Sequence, residues 1–410
     1  MFIHRLTLTN WMIHKSTSVE LFPITVFVGP NNGGKSALFD GLLNFSMVSR
    51  GRLSQAFGQG PYSFAYRRHR GASASGRIGY MVDMAESKDA PDRLTYRITY
   101  SERRGSAAMP TYSIHDETLT DGVGKTIFSR SEEVCHVTGA APFYNDDTSI
   151  FAAIRRAQVE EKYVETNPVV THAAREISRI NKFRLDPRSL AHPSRLPEVI
   201  TDELRETRVP RLDYSGDGLA GVLYFLAETA NPMLDVVIGK VSEVIAGFEG
   251  FEFNAVGEDR IGFSARFADS REIVPAANLS DGTLSLIGLL VLLVNPDRPP
   301  ILCLEEPENG LTPRATRAVY EAVVEAANAK APETPSQVLI ASHSPFIICE
   351  AWNGEERDFI LQVKPEAGRS LIRPFRQVID DQGIQLGKVH GERQHLSLNV
   401  ANEVMAGYYS

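Results

Sequence analysis

Three cysteines in 410 residues, Cys135, Cys303 and Cys349, are too few and too scattered for a disulfide framework or a zinc site. A reduced, cytoplasmic setting is the expectation that follows. Long apolar runs are missing too. The greasiest stretch, Leu284 to Val294, is well short of the roughly 20 residues that span a bilayer. The opening Met-Phe-Ile-His-Arg-Leu-Thr has no signal-peptide core, so no membrane partner is expected. Positive charge is scarce: the formal charge is −8. That excludes a chain that is basic all over and confines any nucleic-acid contact to a local patch. Sustained heptads, internal repeats and low-complexity tracts are also absent, which excludes a long coiled coil. What remains is ordinary for a globular chain, with 43 % apolar and 23 % charged residues. Its length suffices for one large or two ordinary domains.

The first residues alternate apolar and polar side chains from Phe2 to Thr9 and again from Thr17 to Phe22, as strands do. Ile24 to Val28 is a short β-branched run of the kind found in buried strands. A glycine-rich turn follows, and then apolar residues at helical spacing from Ser36 to Val48. Strand-like runs resume at Arg77–Val82 and Leu94–Tyr100. From about Thr148 to Gly247 the pattern is helical, cut into short pieces by Pro168, Pro187, Pro193, Pro197, Pro210 and Pro232. Strand signals return at Phe251–Val256 and Ile261–Phe267. The last third alternates helix Gly282–Leu293, strand Pro300–Leu304, helix Pro313–Ala329, strand Gln337–Ala341 and helix Ser344–Glu350, then a final strand pair.

Gly29-Pro30-Asn31-Asn32-Gly33-Gly34-Lys35-Ser36 satisfies G-x-x-x-x-G-K-[ST] between a buried strand and a helix, the context this motif requires. Glycines allow the backbone to curl so that N–H groups from Gly29, Asn31, Asn32, Gly33, Gly34 and on to Ala37 face phosphate oxygens. The helix opened by Lys35 adds its positive dipole end. Lys35 would reach the β and γ phosphates of ATP, and the Ser36 hydroxyl would ligate Mg²⁺. Ile301-Leu302-Cys303-Leu304-Glu305-Glu306 is a buried strand ending in two carboxylates, at the sheet edge where open α/β sheets bind ligands. Glu305 would hold Mg²⁺, directly or through water, and Glu306 would polarise the attacking water.

Ser280-Asp281-Gly282-Thr283 opens the apolar helix and reads both as an N-cap and as a second phosphate clamp. Val338 to Ala341 is another buried strand, delivering His343 to where a γ-phosphate sensor would sit, provided it neighbours the Glu305–Glu306 strand. The loop Pro307 to Pro313, with Asn309, could cross to a partner subunit. One segment stands apart. Between Arg50 and Arg77 there is no Asp or Glu, but Arg50, Arg52, Arg67, Arg68, Arg70 and Arg77 accompany Tyr62, Phe64 and Tyr66. It reads as a nucleic-acid patch or as arginines serving the fold itself.

These motifs, in this order, resemble the ABC-type ATPase heads of the SMC/RecF class, and more narrowly the bacterial AAA-domain ATPases of the OLD/RecF-like kind. Leu8 to His14 resembles the start of SMC-type heads. Leu304 to Pro313 is similar to the family's DEPExGLHP segment, and Ser342-His343-Ser344-Pro345 to its switch histidine. Phe183 to Pro187 and Gly216 to Ala220 are similar to weaker features of the same branch. The resemblance implies an α/β P-loop NTPase with a mixed-sheet lobe and a helical insertion lobe. It also implies a homodimer with composite ATP sites, in which Ser280 meets the γ-phosphate held by the other subunit.

The chain departs from the family at Glu305, where Asp is usual, and at Asp281 and Thr283, where Gly and Gln are usual. Gln55 and Gln59 are candidates for the family's Q-loop glutamine. About seventy residues follow His343, too few for the Toprim nuclease domain of OLD enzymes. Any nuclease would then be a separate protein effector. The expected organisation is an N-terminal half-head over 1–147, a helical insertion over 148–247, a C-terminal half-head over 248–380 and a tail over 381–410. The functional expectation is an ATP-driven switch in antiphage defence or DNA maintenance. Its rivals are a RecF-like DNA-binding clamp and a transporter's nucleotide-binding subunit.

Overall fold

The computed structural model describes residues 1–58, 62–73, 76–103, 111–131, 134–137, 143–144, 147–155, 168–195, 209–268, 273–330, 334–354, 359–388 and 394–406. The Q-loop candidate Gln59 and the aromatic end Tyr408-Tyr409 lie outside these residues. The chain divides into two compact units. The first comprises residues 1–181, 358–385 and 403–410, and the second 182–357 and 386–402.

In the first unit an eight-stranded sheet runs in the order His14–Glu20, Phe2–Trp11, Ile78–Ala85, Arg93–Arg103, Thr111–Asp121, Thr126–Ser131, Val134–Val137, Phe143–Tyr144. Its characterised pairings are antiparallel. Alternation decides which side is buried. Leu6, Leu8, Tyr80, Val82, Tyr96, Ile98 and Tyr100 are inside, and the helix Lys35–Val48 brings Leu38, Leu42 and Phe45 to the same core. Asn44 of that helix is tied to the sheet by two phenols, since its Oδ1 accepts from Tyr80 at 3.0 Å and from Tyr100 at 2.9 Å. Burial drives the Tyr80 hydroxyl far above the normal tyrosine range, so it stays a donor.

The strands from Thr111 to Tyr144 were not read from sequence. Their inward positions are not all apolar. Glu117 and Arg130 are fully buried and pair at 2.9 Å. Glu117 also accepts from Tyr96 at 2.5 Å and from the Ile150 N–H at 2.7 Å, while Arg130 donates to the Thr148 carbonyl at 2.7 Å. A charge at a core position breaks the hydrophobic alternation by which a strand is recognised.

The P-loop strand Ile24–Val28, buried throughout, runs parallel to Ile360–Glu366 with Phe27 opposite Leu361. Arg369–Pro374 completes that edge antiparallel.

In the second unit Ile301–Glu305 and Gln337–Ser342 are parallel neighbours, with Glu305 opposite Ala341. The short strand Asn181–Phe183, whose last two residues belong to this unit, lies on the other side of Ile301–Glu305. Helix Asp281–Val294 is buried from Leu284 to Leu293, which explains its apolar composition without any membrane. Helix Met233–Val244 is joined to helix Pro313–Ala327 by Lys240 and Glu325 at 2.8 Å. A further sheet of the order Ser194–Arg195, Arg260–Phe267, Phe248–Val256 carries Ile273–Pro275 on Arg260–Phe267. Among the described residues no helix is long and apolar enough to cross a membrane.

Candidate functional site

The glycine-rich turn of the first unit is shaped by its neighbours. Gly29 has φ +151°, and a Cβ added there would stand 2.0 Å from the Val363 carbonyl oxygen; at Gly33 the distance would be 2.7 Å. Only glycine permits this approach of two backbones. Gly34, at φ +112°, is the N-cap of helix Lys35–Val48 and supplies no side-chain cap, and no acidic residue occupies the first turn. The helix therefore opens with its N–H groups and positive dipole end uncompensated by a carboxylate. Asn31, Asn32 and Ser36 are exposed and Ala37 is buried.

The turn is braced from behind. Ser370 donates to the Gly33 carbonyl at 2.8 Å, Trp11 Nε1 donates to the Ala37 carbonyl at 2.7 Å, and His14 Nε2 sits 3.1 Å from the Gly34 carbonyl. Lys35 is buried and its ammonium donates to the carbonyls of Gly29 at 2.6 Å and Pro30 at 3.1 Å. For an ammonium, a phosphate oxygen is a stronger acceptor than a neutral carbonyl.

The arginine-rich run is largely absorbed by this unit. Arg67 pairs with Asp40 on the P-loop helix at 2.5 Å and lies over the rings of Trp11 and Tyr62. Arg50 donates to the Ser178 and Ile180 carbonyls. Arg77 pairs with Asp116, and Arg52 lies 3.9 Å from Asp147. Gln55 is engaged locally, its side chain accepting from the Arg52 N–H at 3.2 Å.

In the second unit the strand end gathers Glu305, Glu306, Asn309 and His343. Glu306 has φ +48°, a left-handed conformation that side chains other than glycine rarely adopt. Its N–H donates to the Ala341 carbonyl at 2.8 Å, which ties it to the strand that delivers the histidine. The Glu306 Oε1 lies 3.5 Å from His343 Nδ1, and its Oε2 accepts from Asn309 at 2.9 Å and from Arg184 at 3.1 Å. Glu306 is thus held by three side chains, while His343 stays partly open to solvent.

Glu305 is buried and meets Lys182 at 3.5 Å through Oε2. Its Oε1 is buried without a hydrogen-bond partner. A small cavity of about 20 Å³ is lined by apolar side chains, Phe183, Leu185 and Leu289 among them, together with both glutamates, Asn309 and Ser285; that is room for one water-sized occupant. The buried, unpartnered carboxylate oxygen of Glu305 fits one ligand position of a hard cation such as Mg²⁺. Below them Glu308 accepts from the Ser342 hydroxyl at 2.6 Å and from the His343 N–H at 3.3 Å. Burial pushes its carboxyl above the usual range.

Ser280 is the N-cap of helix Asp281–Val294, its Oγ accepting from the Thr283 N–H at 3.2 Å. Ser280, not Asp281, makes the cap; Asp281 occupies the first turn, where the dipole favours a carboxylate. A Cβ at Gly282 would stand 2.4 Å from the Gly310 carbonyl oxygen. The start of this helix and the Asn309–Gly310 loop are therefore in close backbone contact. Sequence reasoning missed Lys182, Arg184 and Glu308 as parts of this cluster. Arg184 sits within a segment already singled out, but its partner lies 122 residues away.

Residues 149–349 match the family described as "AAA domain, putative AbiEii toxin, Type IV TA system". No curated protein matches the chain. Among solved structures the chain is similar to the SMC head bound to the C-winged helix domain of ScpA, with a TM-score of 0.50, 12 % identity, and 92 % of this chain and 99 % of that chain covered. It is also similar to the SMC head domain from Thermotoga maritima (TM-score 0.43, 14 % identity, 91 % and 99 % covered). A third is an SMC head with an extended coiled coil bound to the C-terminal domain of ScpA, from Pyrococcus furiosus (TM-score 0.45, 12 % identity, 93 % and 98 % covered). Residues 149–349 thus match an AAA-domain family, and the chain has the fold of an SMC-type head, a P-loop NTPase fold.

Proposed function

We propose that the chain binds ATP with Mg²⁺, hydrolyses it, and uses the cycle as a switch that closes and opens a homodimer to control a partner protein. The observation that carries this reading is the arrangement of Glu306: a carboxylate in a left-handed backbone conformation, fixed between His343, Asn309 and Arg184 at the end of a parallel strand. Such outliers gather at chemical sites.

In this reading the N–H groups from Gly29 to Ala37 cradle the phosphates, and Lys35 exchanges its two carbonyl acceptors for phosphate oxygens. Ser36 and Glu305 would each offer the metal an oxygen ligand, and the ion would supply charge neutralisation on the phosphates. Glu306 takes the hydrogen bond of the attacking water, and His343, beside it, senses the γ-phosphate. Ser280, exposed at a helix N-terminus, acts on the nucleotide of a second copy, with Asp281, Gly282 and the Asn309 loop at the same surface.

Two comparisons suggest the setting. The matching family's description names a toxin of a Type IV system, and one similar SMC head is bound to ScpA. The second supports a protein partner; a separate nuclease as that effector, and a setting in antiphage defence or DNA maintenance, are part of the proposal itself. With Arg50 and Arg67 of the acid-free run engaged inside the fold and Arg52 and Arg77 paired with Asp147 and Asp116 at the surface, the RecF-like reading, in which this chain itself grips DNA, rests on less.

The test is Lys35→Ala. Calorimetric ATP affinity should fall by about 3 kcal/mol, roughly a hundredfold. Unchanged affinity in a folded variant refutes the nucleotide site.

A further inference from the structure

Two carboxylates at one strand end are met by two cations from one segment. Lys182 and Arg184 are two residues apart, the spacing that puts side chains of an extended chain on one side. Lys182 faces Glu305 at 3.5 Å, the two side chains being 10 % and 5 % exposed, and Arg184 faces Glu306 at 3.1 Å.

The segment that carries them is braced. The Arg184 N–H donates to the Tyr214 carbonyl at 3.0 Å and the Asp186 N–H to the Ser215 carbonyl at 2.8 Å. The Lys182 ammonium lies 5.3 Å over the Tyr214 ring. The 213–217 turn is itself fixed, because Asp213 Oδ1 accepts from the N–H groups of Ser215 and Asp217. Lys182 is therefore presented to Glu305 by a held backbone and a ring beneath it.

A carboxylate this buried needs a counter-charge. Lys182 supplies one through Oε2 only, and Oε1 is left without a partner beside the cavity. One oxygen is neutralised; the other remains available.

We propose that Lys182 is the resident counter-ion of Glu305. It keeps that carboxylate compensated between turnovers and competes with the divalent cation for it, so that this lysine sets how much metal the protein needs. Arg184 does the corresponding work on Glu306, drawing Oε2 so that Oε1 faces His343. Both are positioning residues. The proposal rests on the reading of Glu305 as a metal ligand.

The experiment measures Mn²⁺ bound to the full-length chain in the presence of a non-hydrolysable ATP analogue, by electron paramagnetic resonance. It compares wild type with Lys182→Met, Lys182→Gln, Lys182→Arg and Glu305→Gln. Removing the competing charge in Lys182→Met or Lys182→Gln should lower the half-saturating Mn²⁺ concentration roughly tenfold, the scale of one partly screened charge pair. Lys182→Arg, which keeps the charge, should stay near wild type. Glu305→Gln should raise the Mn²⁺ requirement.

A folded Met or Gln variant whose Mn²⁺ requirement is unchanged or higher overturns the counter-ion role, and loss of folding in both neutral variants with Lys182→Arg intact assigns the lysine to stability instead. If Glu305→Gln leaves the Mn²⁺ requirement where it was, the metal-ligand reading fails on its own account, whatever Lys182 does.

Discussion

His14 is wholly buried behind the P-loop, and its Nε2 stands 3.1 Å from the carbonyl oxygen of Gly34. A carbonyl only accepts, so Nε2 carries the proton, and Nδ1 accepts from the Thr17 hydroxyl at 3.1 Å. Burial lowers the imidazole from 6.5 to about 4, against the smaller opposing effect of the Gly34 hydrogen bond. The folded value lies below the unfolded one, so the unfolded chain binds more protons in between. The contribution is complete above about pH 6.5 and is lost progressively as pH falls toward 4. It amounts to about 3 kcal/mol at most. Denaturant melts of the wild type at pH 7.5 and pH 5 should show this acid loss, and His14→Gln should show a flatter dependence. Equal pH slopes would remove His14 from the account.

Glu306→Gln keeps the shape and the Asn309 contact but withdraws the acceptor charge. ATP affinity should stay within about threefold while turnover falls by about two to four orders of magnitude, the range of a lost general base. Nucleotide-bound dimers should accumulate on a sizing column. Hydrolysis at the wild-type rate would take Glu306 out of the chemistry.

Ser280 offers a test of the two-copy arrangement. Ser280→Arg should bind ATP as a monomer and fail to turn over, as should Lys35→Ala for want of nucleotide. Mixed together they should recover activity from about one working site per dimer, because the symmetry of an isologous pair leaves one intact combination. A mixture as inert as its parts would speak against completion in trans.

Glu117 and Arg130 predict a stability effect far from any nucleotide. Arg130→Met strands a fully buried carboxylate and should cost about 3–5 kcal/mol in chemical denaturation, whereas the double change to Met and Gln should recover part of it. Loss of less than about 1 kcal/mol in the single variant would mean that Glu117 finds another partner.

How much of this was open to a reader of the sequence depends on distance along the chain. Ile24 to Val28, the glycines and Lys35 are contiguous, and local chemistry alone specifies strand, turn and helix. Ile301–Glu305 and Gln337–Ser342 announced themselves by buried apolar runs, and their pairing follows from parallel topology. Thr111–Asp121 did not, since Glu117 occupies a core position that only the remote Arg130 makes tolerable. The helix Leu398–Ala406 likewise lies in the stretch that the sequence leads one to expect as tail. Lys182 and Arg184 look like surface cations until the strand 122 residues later folds against them. Glu308 is one letter of a motif in the sequence, and its grip on Ser342 and the His343 N–H arises only where the two strands meet.

The left-handed twist at Glu306 has an evolutionary corollary. Glycine or asparagine would sit there with less conformational penalty, on the order of 1 kcal/mol, so a library screened only for heat resistance should drift toward them, and under the role proposed for Glu306 those survivors should fail to turn over ATP. A lineage that retains glutamate at that bend does so against thermal selection, as the role proposed for Glu306 requires.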